Sequence, residues 1–221
     1  MESIKMPLTG ILCVLSGEST MRNKLVLISF VMLLNIAAVS SAVTITWSNG
    51  ASPADGDWNN PANWAGTIPD ALDDYAKINM AAGPVFSTGR TATAYRVNLG
   101  GTNGTLTVSG GALTTNNHIY VATLSTDTAT LNMSGGAINV GGNFYVARDN
   151  GSVADVNLSG GTITCAVLSV RTNPGAIGTI DIKGGTLIFT SSDDPVGTYI
   201  ANGWIKAYGG AGTVVVDTTT I

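Results

Sequence analysis

Apolar and polar residues alternate in short runs through the middle of this chain, and the runs recur. "LTVSGGALTT" begins at Leu106, "LNMSGGAINV" at Leu131, "VNLSGGTITC" at Val156 and "IDIKGGTLIF" at Ile180. The second glycines of the four pairs are Gly111, Gly136, Gly161 and Gly185, spaced 25, 25 and 24 residues apart. A fixed period of this size marks a solenoid, in which each repeat is one winding of the chain. Before the glycines, Leu106, Leu131, Val156 and Ile180 form one apolar column, and Val108, Met133, Leu158 and Ile182 the next. Thr107, Asn132, Asn157 and Asp181 lie between them. This period of two predicts strands with one buried face. After the glycines, Leu113, Ile138, Ile163 and Leu187 point inward, followed by Thr115, Val140, Cys165 and Phe189.

A third strand follows in each repeat: "HIYVA" at 118, "NFYVA" at 143 and "VLSVR" at 167, with "AYRVNL" at 94 as an earlier copy. Its inward pairs are Ile119 with Val121, Phe144 with Val146, and Leu168 with Val170. The glycine pairs mark one corner, where a positive φ or a close backbone approach leaves no room for a Cβ. "ARDNGSVA" at 147 and "RTNPGAIG" at 171 mark another with turn-forming residues. The predicted fold is all-β: a single-stranded parallel β-helix (β-solenoid), with about three short strands per 24–25-residue coil over residues 94–217. A lone coil cannot stand. Its roughly six inward aliphatics contribute about 1.5–3 kcal/mol each on burial, while ordering the backbone costs about 1–2 kcal/mol per residue. Stacking adds hydrogen bonds between coils and a continuous apolar axis.

The flanks break the pattern. Residues 43–93 hold Trp47, Trp58 and Trp64, three of the four tryptophans, and read as a Trp-rich cap over the first coil, with strands expected at 43–47 and 75–79. Downstream, "SSDDPVG" at 191 interrupts the spacing, and Tyr199, Trp204 and Tyr208 are placed to cover the last coil. Residues 218–221 read as a truncated tail, as of a fragment. Upstream, residues 1–42 read as an N-terminal extension and a secretory signal peptide. The expected start is Met21. Arg22 and Lys24 precede an apolar run from Leu25 to Val39, and Ser40 and Ala42 suit cleavage after Ala42. That run is shorter than the roughly 18 residues of a spanning helix. The expectation is an exported protein, at the outer surface or extracellular, with no membrane segment once the signal is removed.

Beyond Ala42 there are 7 Lys plus Arg against 12 acidic residues, all Asp, for a net charge of −5. An acidic exported domain without a basic cluster argues against nucleic acid as a partner. Cys165, the only cysteine there, has no disulfide partner and reads as a small core residue.

Candidate chemistry is sparse. Glycoside hydrolysis needs two carboxylates at a set separation, and the candidates are Asp149, Asp155, Asp181, Asp193 and Asp194, with Arg148 and Arg171 at roughly equivalent corners. Asp181 continues the outward Asn132–Asn157 column and reads as a solvated ladder position. His118 is the only histidine and cannot by itself complete a metal site or triad. No catalytic, cofactor or metal residue is assigned, although "DGD" at 55–57 and "DALDD" at 70–74 offer hard oxygen ligands for a structural calcium. "GGTNGTLTV" at 100 lacks the Asp of a calcium nonapeptide, Thr105 standing in that place. For those acids the competing role is capping turns. Tyr120, Tyr145 and Tyr199 share an expected outward position on the third strand and are candidates for stacking on sugar rings.

The stretches "GTLTVSGGALTTNNHIYVA" from 104 and "TATLNMSGGAINVGGNFYVA" from 128 resemble the repeats associated with autotransporters and PEP-CTERM proteins of Gram-negative bacteria. "DWNNPANWAGTIPDALDDYAKI" from 57 resembles segments that precede such repeats, and "IKAYGGAGTVVVD" from 205 the ends of similar surface proteins. The resemblance covers about residues 47–217. It implies an exported, surface-attached or extracellular scaffold or adhesin without catalytic activity, whose partners are extracellular glycans or other surface proteins. The alternative is a polysaccharide-binding or polysaccharide-degrading β-helix. The translocator barrel and terminal sorting signal of such families do not occur in this sequence.

Overall fold

The computed structural model describes residues 42–216 except Pro53 and Ala71. The signal peptide, the Met21 start and the 218–221 tail lie outside the described residues. The described residues form a parallel β-solenoid. Its strands are β1 (Thr44–Thr46), β2 (Tyr75–Ile78), β3 (Val85–Phe86), β4 (Thr91–Ala94), β5 (Arg96–Leu99), β6 (Gly104–Thr115), β7 (Ile119–Val121), β8 (Thr128–Val146), β9 (Val153–Val170), β10 (Ile177–Ile182), β11 (Thr186–Ser192) and β12 (Ile205–Ala207). One helix, α1 (Val196–Ala201), is the only α-helix among the described residues. Every pairing between these strands is parallel.

The ladders follow the apolar columns. Leu106 pairs with Leu131, Leu131 with Val156, Val156 with Ile180, and Ile180 with Ile205. Leu106, Leu131, Val156 and Ile180 are each 0% exposed, so the column is a dry axis. The second strand position stacks likewise, Leu113 on Ile138 on Ile163 on Leu187. So does the third, Ile119 on Phe144 on Leu168. Cys165 is buried and free, and burial pushes its thiol pKa up to about 12.

The three short strands of a coil often run on as one bent strand. β8 passes through two corners without a break, and shifts in pairing register between Met133 and Ala137 and between Val140 and Asn143 mark the bends. At the first bend the glycines are sterically required. Gly136 and Gly161 have φ of 79° and 78°, and a Cβ on Gly161 would lie 2.7 Å from the Gly136 carbonyl oxygen. The corner after the third strand is held differently. Ala122, Ala147 and Arg171, one per coil, all adopt left-handed φ of 60°, 58° and 55°. Non-glycine residues rarely take that conformation, and it persists only where the surroundings enforce it. Here the amides of Ala122, Ala147 and Arg171 donate to Leu99, Val121 and Val146 of the coil before.

The stack also extends upstream of residue 94. β2 pairs with β5, and β3 and β4 pair with β6, so residues 75–94 form a coil of the solenoid. Its steps are shorter. Ala92 lies over Leu113 and Val97 over Ile119, intervals of 21 and 22 residues, against 25 between Leu106 and Leu131. The cap proper lies before it. Trp47, Trp58 and Trp64 are 0%, 1% and 4% exposed and meet edge to face, with Trp58 also against Phe86 of β3. The Trp47 indole donates to the Ala82 carbonyl and that of Trp64 to Trp58.

Candidate functional site

Three outward faces result, one per strand position, and they differ in chemistry. The second face is free of charge: Thr91 and Thr93 are followed by Ala112 and Thr114, Ala137 and Asn139, Thr162 and Thr164, then Thr186 and Ile188. The first face is polar, with the Asn157 amide donating to Asn132 at 2.9 Å, and gains charge at Asp155, Asp181, Lys183 and Lys206. The third face carries the aromatic and cationic groups.

On that third face Lys77, Asn98, Tyr120, Tyr145 and Ser169 form one ladder. Adjacent parallel strands lie about 4.7–4.9 Å apart, which is the distance at which flat rings stack. Tyr120 and Tyr145 do so, with centroids 4.7 Å apart and planes within 5°. The Arg96 guanidinium lies 4.0 Å from the Tyr75 ring centroid and 5.2 Å from that of Tyr120. Arg148 lies 5.7 Å from the Tyr120 ring centroid and 5.9 Å from that of Tyr145. His118 stands edge-on to both tyrosines, and its Nδ1 accepts the Asn143 amide hydrogen at 2.8 Å. Burial, then the nearby Arg96 and Arg148, lowers the His118 pKa below its usual 6.5, so the imidazole is neutral at neutral pH.

Two sugar-stacking candidates, Tyr120 and Tyr145, therefore meet, but their facing surfaces cover each other. Tyr120 is 7% exposed, and burial raises its hydroxyl pKa. Tyr199 is not part of the ladder. It sits on α1, 0% exposed, stacked on Trp204, with its hydroxyl accepting the amides of Asp194 at 3.2 Å and Val170 at 3.5 Å. The third strand of this coil is cut short after Ser191 and Ser192 pair with Val167 and Leu168, and the chain after Pro195 turns into a short helix, so Tyr199 turns inward as a plug.

Arg171 lies at the far end of the same face. Its Nε donates to the Gly178 carbonyl at 3.0 Å, and its guanidinium rests 4.9 Å from the Trp204 ring. With Thr172, Asn173 and Trp204 it lines a concavity of about 280 Å³. Arg148 and Arg171 are not equivalent: Arg171 follows Ala147 in the left-handed corner series, and Arg148 stands one residue further on. The sequence pattern did not single out Arg96, and it marked Trp204 only as a cover for the last coil. "AYRVNL" placed Arg96 on a third-strand copy, which is the only signal that it shares a face with Tyr120.

The candidate acids do not converge. Asp155 accepts the Thr179 hydroxyl at 2.6 Å. Asp181 keeps its register with Asn157 but is not solvated: it is 7% exposed, accepts the Gly209 amide at 2.9 Å and pairs with Lys183 at 3.3 Å. Burial works to raise its pKa, but the Gly209 amide and Lys183 outweigh it, and the pKa is lowered. Asp149 lies 3.8 Å from Arg148, while Asp193 and Asp194 are exposed.

Among the described residues no three His, Cys, Asp or Glu side chains group as metal ligands. In "DGD", Asp55 accepts the Asp57 amide and the amides of Asn60 and Asn63, which hold its pKa down at about 2. In "DALDD", Asp70 accepts the Leu72 amide. The "GGTNG" turn closes on Asp127, a buried carboxylate that accepts the amides of Gly101, Thr123 and Leu124 at 2.8–3.0 Å. No protein-family model, curated protein or solved structure matches the chain. The fold defines the class, a parallel β-solenoid, and the third face is its most distinctive chemical surface.

Proposed function

We propose that this protein is an exported scaffold or adhesin of the cell surface or extracellular space, without catalytic activity. The observation that carries this reading is the dispersal of its acids. Asp155, Asp181 and Asp149 each engage a different partner. Acid–base cleavage of a glycosidic bond requires two carboxyl groups facing one substrate. A rigid axial stack with chemically distinct faces suits display and adhesion instead. The resemblance to autotransporter and PEP-CTERM-associated repeats supports export, as does the leader-like composition of residues 21–42.

The test has two parts. Fractionation of expressing cells should place the protein outside the inner membrane, with a mature N-terminus at Val43, and its deletion should reduce attachment to surfaces or other cells. Incubation with a polysaccharide panel should release no new reducing ends or unsaturated products. Product release abolished by Asp155→Asn or Asp181→Asn would replace this reading with an enzyme.

A further inference from the structure

We infer that the third face binds anionic polysaccharide, laid along the solenoid axis and held by Arg96, Arg148 and Arg171. This deepens the adhesive reading by naming the ligand class and the residues.

The chain beyond Ala42 is acidic, yet four of its seven basic residues, Lys77, Arg96, Arg148 and Arg171, lie on this face or at its trailing corner. The other three are Arg90, Lys183 and Lys206, of which Arg90 pairs with Asp57 and Lys183 with Asp181. Among the described residues Arg96 and Arg171 have no carboxylate within ion-pair distance, and Arg148 has only the 3.8 Å approach of Asp149. The Arg96 Nε is buried without a hydrogen-bond acceptor. Two guanidinium groups without a carboxylate and a third only partly offset by Asp149 thus gather on one face of an acidic protein.

Each arginine is also pre-organised. Arg96 is held against Tyr75 and Tyr120, Arg148 against Tyr120 and Tyr145, and Arg171 by Trp204 and the Gly178 carbonyl. A guanidinium held beside a ring can still offer N–H groups to a carboxylate or sulfate, which it matches with two parallel N–H bonds. Fixing it in advance reduces the ordering cost of binding. The concavity beside Arg171, lined also by Asn173 and Trp204, has a volume of about 280 Å³, just under the usual range of small-ligand sites.

Nucleic acid would use the same charges, but single strands also bind by stacking bases on open aromatic faces. Here the Tyr120 and Tyr145 rings cover one another, and Trp204 lies between Arg171 and Tyr199. The tyrosines serve as mounts for arginine and do not act as platforms for a ring.

The experiment uses affinity electrophoresis and titration calorimetry of the secreted chain with polygalacturonate, dextran sulfate, neutral dextran and single-stranded DNA. Retention by one or both anionic glycans is expected, lost when salt rises from about 0.05 to 1 M and the screening length falls to about 3 Å. Arg148→Gln, the most exposed of the three, should weaken binding several-fold, and Arg96→Gln with Arg148→Gln by tenfold or more, at unchanged melting temperature. Arg171→Lys should weaken it while keeping the charge, and Lys183→Gln on another face should change nothing. The proposal is overturned if neither anionic glycan is retained, if neutral dextran or DNA is retained equally well, or if Arg148→Gln binds as the parent does. Such a result would leave surface location and attachment untouched, since those are read in cells.

Discussion

The two ends of the solenoid are closed by different means. At the N-terminal end three tryptophans interlock beneath Phe86 and are almost wholly buried. At the C-terminal end the three strand positions meet three different fates. The first is covered by β12, the third by Tyr199 and Trp204 around α1, and the second, β11, pairs only with β9. Its Ile188 stays 46% exposed, and Leu187 and Phe189 are only partly buried. A parallel stack has an unpaired edge at each end, and unpaired strands are a liability. Aromatic bulk covers the apolar axis at one end, although β3 and β4 there pair only with β6, whereas a helix and a short strand cover two of the three strand positions at the other.

The largest perturbation should ignore both ends. Leu131→Asp puts a carboxylate midway along the dry axis, where an unpaired charge is prohibitive, and should abolish the folded state by circular dichroism. Normal melting would refute the register. Next, Trp64→Ala should cost about 3–5 kcal/mol and strip hydrogen-exchange protection from β1 to β3 before the centre. Uniform loss of protection along the stack would show that the ends are not separable. Tyr199→Phe removes the acceptor for the Asp194 and Val170 amides and should cost about 1 kcal/mol, with exchange rising at β9 and not at β1.

The smallest effect is acidic. Asp55 has a folded pKa near 2 against an ordinary value of 3.8. Its folded pKa is depressed, so the stability it contributes is present above pH 4 and lost as pH falls toward 2. Loosening of the 55–63 turn in that window, followed through tryptophan fluorescence, should precede loss of the coils and vanish in Asp55→Asn.

Much of this fold was legible from residue types alone. The register of Leu106, Leu131, Val156 and Ile180 follows from period-two alternation carried on a 25-residue repeat, because a shift of one residue would turn the apolar column outward. The coil at residues 75–94 was not legible as part of the stack. Its shortened steps break the period, and Gly110–Gly111 has no counterpart glycine pair over it. Tyr199 misled for a related reason: it lies 30 residues after Ser169, against 25 and 24 for the steps before, because the chain after Pro195 leaves the ladder for a helix.

The sequence by itself determined which side chains face the axis, since alternation along a strand is a local rule and the repeat copies it from coil to coil. It also supplied the outward columns, including Tyr120 over Tyr145. Only the tertiary structure decided what those columns mean. Strand spacing closed the tyrosine rings on each other, brought arginines from separate coils beside them, and left Arg96, among the described residues, without an ion-paired acid. These outcomes depend on distances across coils that no single repeat contains.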